Sequence, residues 1–150
     1  MDLNFNGQER VPATKDKVWE FINDPQRVAS CLPDVEEIAV RDSRNFDATV
    51  RVAVGPVRGK FKFKVQLEPQ ADGKHLVLKI SGGGFGSVVD LNANATLTDN
   101  GDATTTLDWS ASATMRGPVA TVGGRVLDSQ AQRVISSTFA NVKAKLTEAA

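Results

Sequence analysis

Along most of this 150-residue chain apolar and polar side chains alternate with a period of two, and only towards the C-terminus does the period lengthen to that of a helix. Leu3, Phe5 and Val11 share one parity and Asp2, Asn4, Gln8 and Arg10 the other, which predicts a half-buried first strand. Pro12-Ala13 ends it. Thr14 is suited to cap a helix running to about Ile22, with Asp16 favoured in its first turn and Val18, Trp19 and Ile22 on its buried face. Asn23-Asp24-Pro25 closes that helix and opens a second, ending near Leu32-Pro33, because a carboxylate cap followed by proline is a helix-start signal.

From Val35 the period is two again. Phe46, Ala48, Val50, Val52 and Val54 line one face of a strand that turns at Gly55-Pro56. Phe61, Phe63, Val65 and Leu67 then alternate with Lys60, Lys62, Lys64, Gln66 and Glu68, so one face is dry and the other wet. Asp72-Gly73 is a hairpin signal, and Leu76, Leu78 and Ile80 follow until Gly82-Gly83-Gly84, where a bulge or bend is expected. Val89, Leu91, Ala93, Ala95 and Leu97 lead to a turn at Asn100-Gly101, and Leu107, Trp109, Ala111, Ala113 and Met115 form the last strand. Such short turns make the strands antiparallel neighbours.

The remaining segment, from about Val119 to Leu146, carries two apolar lines at helical spacing: Leu127, Ala131, Val134, Thr138 and Val142, and Ile135, Phe139, Val142 and Leu146. Such a helix is about 40 Å long, comparable with a strand of about twelve residues. The pattern predicts an α+β fold: a seven-stranded antiparallel sheet wrapped around a long C-terminal helix, with two short helices after the first strand. Residues 1–150 are read as one domain.

Charge narrows the partners. Eighteen basic and 18 acidic residues balance, so nothing in the overall charge draws the chain to nucleic acid. A single cysteine, Cys31, has no internal disulfide partner and suits a reducing compartment, which makes the cytoplasm the expected location. The first residues show neither a basic nor an apolar leader region, and no apolar run is long enough to span a bilayer, so neither export by a signal nor a membrane span is expected. One histidine and one cysteine do not make a zinc site, and no metal ligand is assigned.

The inward parity places Phe46, Val50, Phe61, Phe63, Leu76, Leu91 and Trp109 of the sheet opposite Val126, Leu127 and Phe139 of the long helix. Almost none of these can carry a proton, and acid–base catalysis needs a titratable group in the pocket. Glu9, near a strand end, is the exception; His75 falls on the outward parity, and Cys31 has no histidine nearby in sequence to activate it. No catalytic residue and no cofactor is assigned. The face is either a filled core or the wall of a cavity for an apolar molecule. Gly123-Gly124, read as lying in the first turns of the long helix, and Ala93, Ala95, Ala111 and Ala113 on the inner face favour open space. The candidate ligand-binding set is Phe46, Val50, Phe61, Phe63, Leu76, Leu91, Trp109, Gly123, Gly124 and Leu127. On the outer face, Arg51, Lys60, Lys62, Lys64 and Lys79 form either a solvated surface or a docking patch for an acidic protein or an anionic bilayer. Gly82–Gly86 is not a phosphate loop, since it joins two antiparallel strands and no helix follows.

Val18-Trp19, Asn23-Asp24-Pro25, Cys31-Leu32-Pro33 with Glu36, Val54-Gly55-Pro56-Val57, and Gly117 with Gly123-Gly124-Arg125 and Asp128 occur in an order that resembles the carbon monoxide dehydrogenase CoxG family. The resemblance covers nearly the whole chain. That family looks like a branch of the START-like, or polyketide cyclase-like, superfamily, so the resemblance implies a helix-grip fold. It also implies an accessory role beside a molybdenum hydroxylase of the carbon monoxide dehydrogenase type, binding of a quinone or lipid, and recruitment to the membrane surface, peripherally at its inner face. The alternatives within the superfamily are a small-molecule cyclase or hydrolase and an enzyme assembly factor. Two departures stand out. Many members have glycine where this chain has Asp34, so a different turn is expected there. Several also carry an apolar tail beyond the long helix that is not found in these 150 residues, so anchoring by such a tail is not expected.

Overall fold

A computed structural model describes residues 1–148. Seven strands, β1 (Asp2–Val11), β2 (Val35–Val40), β3 (Asn45–Val54), β4 (Val57–Pro69), β5 (His75–Gly84), β6 (Ser87–Asp99) and β7 (Thr105–Arg116), form one antiparallel sheet in the order β1-β7-β6-β5-β4-β3-β2. Helices α1 (Lys15–Ile22) and α2 (Pro25–Cys31) follow β1, and α3 (Gly124–Glu148) ends the described chain. The architecture is the expected α+β one.

The two short helices start where local chemistry dictates. Thr14 accepts a hydrogen bond from the Lys17 N–H, and Asp24 accepts from the N–H groups of Gln26 and Arg27 with Pro25 following it. Each cap satisfies donors that the first helical turn leaves unpaired.

Two expectations need correction. Gly82–Gly84 do not interrupt β5, which pairs with β6 as far as Gly84↔Ser87. Glycine is needed there because an added Cβ at Gly82 would collide with the Lys62 carbonyl, and one at Gly83 with that of Ser87. The long helix starts at Gly124, not near Val119; a separate 3-10 turn, Pro118–Val122, precedes it. Gly117 and Gly123 bracket that turn at φ +83° and +101°, where only glycine sits without strain. Gly123 is therefore a joint between turn and helix. Asp34, in the turn after α2, holds φ +61°, the left-handed conformation that glycine favours and aspartate tolerates.

The apolar interior divides into two clusters. One gathers α1, α2, the C-terminal half of α3 and the sheet beneath them, with Val11, Val18, Cys31, Phe46, Leu67 and Leu97 almost wholly buried. The other, Val54, Val57, Phe61, Val89, Val119 and Leu127, lies at the opposite end under the 3-10 turn. Polar clamps tie α3 to both of its flanks. Lys143 Nζ is 2.7 Å from Glu9 Oε1 on β1, Arg133 reaches Asp34 at 2.8 Å, and the Asn141 amide donates to the Cys31 carbonyl at 2.9 Å.

Candidate functional site

Outside the two clusters most inward-facing apolar side chains, Phe5 and Ala113 excepted, are not fully covered. Val50, Val52, Phe63, Leu78, Ile80, Leu91, Ala93, Ala95 and Trp109 all point from the sheet towards α3, yet each stays partly exposed, as do Ile135 and Phe139 on the helix. In a close-packed core such side chains are sealed. Within this belt Val50, Leu78, Ile80, Ala95, Trp109 and Phe139 pack against the first cluster and Val52 and Phe63 against the second, as partly covered side chains on the inner face. Trp109 and Phe139 meet with ring centroids 5.7 Å apart. The indole lies against Gly7, its cross-strand partner, where a Cβ would approach the ring to 2.9 Å.

The candidate residues named above fall into three groups. Phe46 and Leu76 are buried in the cluster beneath α1 and α2, and Phe61 and Leu127 in the cluster beneath the 3-10 turn. Val50, Phe63, Leu91 and Trp109 lie in the part-exposed belt. Gly123 and Gly124 stand at the start of α3, where an added Cβ would meet nothing within 4 Å. Val126, expected to face inward, is 47% exposed; with the helix starting at Gly124, its neighbour Leu127 takes the inward position and Val126 is turned to solvent. Leu78, Ile80 and Ile135 belong to the belt but not to the candidate set, although their parity or helical spacing already points inward.

The glycine-rich end carries a feature that periodicity does not flag. Phe85 and Gly86 form the two-residue turn between β5 and β6, and Phe85 is 65% exposed at φ +54°. Its ring rests on Gly59 of β4, where any Cβ would run into it. Gly86 lies against Pro118 and Gly55 against Val122, so the turns after β3 and β5 both meet the 3-10 turn. A phenylalanine between glycines in a hairpin turn is the signal that the sequence offers for it.

Polar chemistry along the inner face is sparse. Glu9 is engaged by Lys143. Burial pushes the Cys31 thiol pKa up, the opposite of activation. The Trp109 Nε1–H is sheltered from solvent and has no acceptor, which costs about 1–3 kcal/mol. Among the described residues no three His, Cys, Asp or Glu side chains gather as a metal site would require. On the outer face His75 meets Asn94 at 3.2 Å, and the basic patch is partly neutralised. Glu36 lies 3.0 Å from Lys60 and 2.8 Å from Arg51, which hold its carboxyl below the usual range, and Arg41 does the same for Asp47. Lys62 and Lys64 border an open groove of about 700 Å³ on that face, together with Asp47, Thr49 and Ser81.

The model of the carbon monoxide dehydrogenase CoxG family matches residues 7–147. The chain belongs to that family. A conserved protein of Geobacillus kaustophilus shares the fold of this CoxG family member with a TM-score of 0.88 at 25% identity, over 97% of this chain and 96% of that one. A START superfamily protein from Mycobacterium smegmatis superposes with a TM-score of 0.73 at 11% identity, over 98% and 99%. The Zhui aromatase/cyclase from a Streptomyces species gives 0.70 at 14%, over 98% and 94%. The last two establish a shared helix-grip fold. Comparison with curated proteins finds no match. No helix among the described residues is long and apolar enough to cross a membrane.

Proposed function

We propose that this CoxG family member is a non-enzymatic accessory protein of a carbon monoxide dehydrogenase-type molybdenum hydroxylase, holding an apolar molecule such as a quinone or lipid between sheet and α3. One observation carries the reading: the inward-facing but part-exposed apolar residues, including Val50, Phe63, Leu91 and Trp109, beside the two buried clusters. Apolar walls with few polar groups suit a ligand held by burial. Phe85, exposed at the glycine-rich end, supports exchange of that ligand at the inner membrane face. A cyclase or hydrolase role has little to work with, since Glu9 is tied to Lys143 and Cys31 is sealed. Docking on a partner enzyme through the Lys62 and Lys64 groove is compatible with the same role.

Native mass spectrometry and lipid extraction of protein purified from its own host should reveal a co-purifying apolar molecule. Titration of stripped protein with decylubiquinone should quench tryptophan fluorescence saturably, and Phe63→Asp should abolish that signal. Absence of both a bound molecule and saturable quenching would sink the proposal.

A further inference from the structure

The two edges of the sheet are finished differently. β2 is six residues long, its register against β3 slips between Val35 and Glu37, and Glu36 on it is clamped by Lys60 and Arg51. Short length, irregular register and charge all discourage an edge from pairing with another chain. β1 carries charge at Asp2, Glu9 and Arg10 but lacks the short length and the register slip. Its ten residues pair with β7 in unbroken register from Asp2↔Thr114 to Val11↔Thr105, and it contains no lysine, no proline and no bulge. As the terminal strand of the sheet, it offers its other row of backbone donors and acceptors to solvent.

The outer face beside that edge is also unlike the rest. Asn4, Asn6 and Gln8 on β1 continue into Ser110 and Ser112 on β7, whereas the far half of the same face carries lysines. Asparagine and serine lose less rotamer freedom on burial than lysine does. Asparagine and glutamine both donate and accept, so Asn4, Asn6 and Gln8 along the edge are able to meet side chains of their own kind across a two-fold axis.

We infer that β1 is the seam of a homodimer, in which two copies join antiparallel through this strand about a two-fold axis at Asn6. Charge and parity select the register. With Asn6 opposite Asn6, Asn4 meets Gln8, and Asp2 meets Arg10 of the second copy at both ends of the seam. Phe5 falls opposite Gly7, leaving room for the ring. A slip of one residue would set the outer face of one copy beside the inner face of the other, and a slip of two would leave Asp2 and Arg10 unmatched. Arg10 now pairs with Asp102 at 2.7 Å, but the two side chains are 67% and 53% exposed, so exchanging that contact costs little. A ribbon about 33 Å long is a slender interface, and the dimer is expected to dissociate in the micromolar range.

Sedimentation of the full chain from low micromolar to near-millimolar concentration should show a reversible monomer–dimer equilibrium. Asn6→Lys sets like charges opposite each other and should raise the dissociation constant at least about tenfold with an unchanged Tm. Asp2→Arg should weaken association and the added Arg10→Asp should restore it, a rescue that a purely structural defect would not give. Residues opposite each other in such a pair have Cα atoms about 4.5–5.5 Å apart, so oxidised Asn6→Cys should cross-link to itself, while buried Cys31 does not compete. Asn4→Cys should cross-link only when mixed with Gln8→Cys. A monomer at every concentration would overturn the inference, and so would a dimer indifferent to Asn6→Lys or an Asn4→Cys variant that links to itself.

Discussion

The two ends of the space between sheet and helix are built from different materials. At the end beneath α1 and α2 the space is filled by side-chain volume, and Val11, Val18, Ala29 and Cys31 have no exposed surface at all. At the other end backbone approach contributes: the turn after β5 lies close to β4 and to the 3-10 turn because Gly59 and Gly117 lack the Cβ that would collide with Phe85 and Gly86. Packed volume resists local opening, whereas turns resting on one another bury less apolar surface per residue. On the function proposed above, the first end supplies stability and the second access. Two ion pairs, Arg133–Asp34 and Lys143–Glu9, hold α3 at its flanks.

The most severe way to break this comparison is to remove volume at the sealed end. Phe46→Ala, at 1% exposure, should cost about 3–5 kcal/mol in urea unfolding. Phe63→Ala, in the belt, should cost less than half as much because its ring is already partly solvated, yet should weaken ligand binding more than any change at the sealed end. Equal losses of stability at the two positions would mean that the belt is ordinary packed core. Leu127→Ala, at 4% exposure in the second cluster, should fall between them at about 2–3 kcal/mol.

Much of this contrast is legible in the residues themselves, because a period of two assigns every strand residue to a face. The alternation of Phe61, Phe63 and Val65 with lysines tells which side of β4 is dry, and the caps at Thr14 and Asp24 mark the starts of α1 and α2. What periodicity does not carry is the meeting of distant segments. The support of Phe85 by Gly59 joins two different hairpins, and the Asp34–Arg133 pair spans 99 positions. The start of α3 is misplaced by periodicity for a related reason. Val119 and Val122 continue an apolar spacing that looks helical, while the break at Gly123 depends on a backbone angle. Partial exposure of Leu78 and Leu91 is out of reach as well, since parity says which way a side chain points and not how much covers it.

Smaller changes sharpen the account of the glycine-built end. Gly59→Ala forces the Phe85 ring aside and places alanine at φ +143°, so it should cost about 1–2 kcal/mol. Phe85→Ala, at an exposed turn position, should change stability by no more than about 0.5 kcal/mol. In the double variant the part of the Gly59→Ala loss due to collision should disappear while the backbone strain remains, and a double-mutant cycle measures the split. Full additivity would show that the ring is not seated on Gly59.

Adjacent glycines at the start of α3 give a narrower test. Neither has an atom in the way of an added Cβ, but only Gly123 holds a positive φ. Gly123→Ala should therefore destabilise by about 1 kcal/mol, and Gly124→Ala should stabilise by about 0.4–1 kcal/mol through the entropy of the unfolded chain. If this joint borders the opening, a bulky Gly124→Leu should slow quinone uptake without loss of Tm. Parallel losses of uptake and Tm would count against that.

The finest distinction between the ends is in their response to base. The second cluster contains no titratable side chain, whereas the sealed end contains Cys31, whose thiol burial pushes above the ordinary value of 9.0. A group that holds its proton more tightly in the folded state contributes stability that is complete below the unfolded pKa and is lost as pH rises towards the folded one. Wild-type stability should therefore decline above about pH 9.0 more steeply than that of Cys31→Ala, which starts lower because of the small cavity it leaves. Parallel pH profiles in urea unfolding would show that the thiol is not sheltered in solution, and that the sealed end opens more readily than its packing implies.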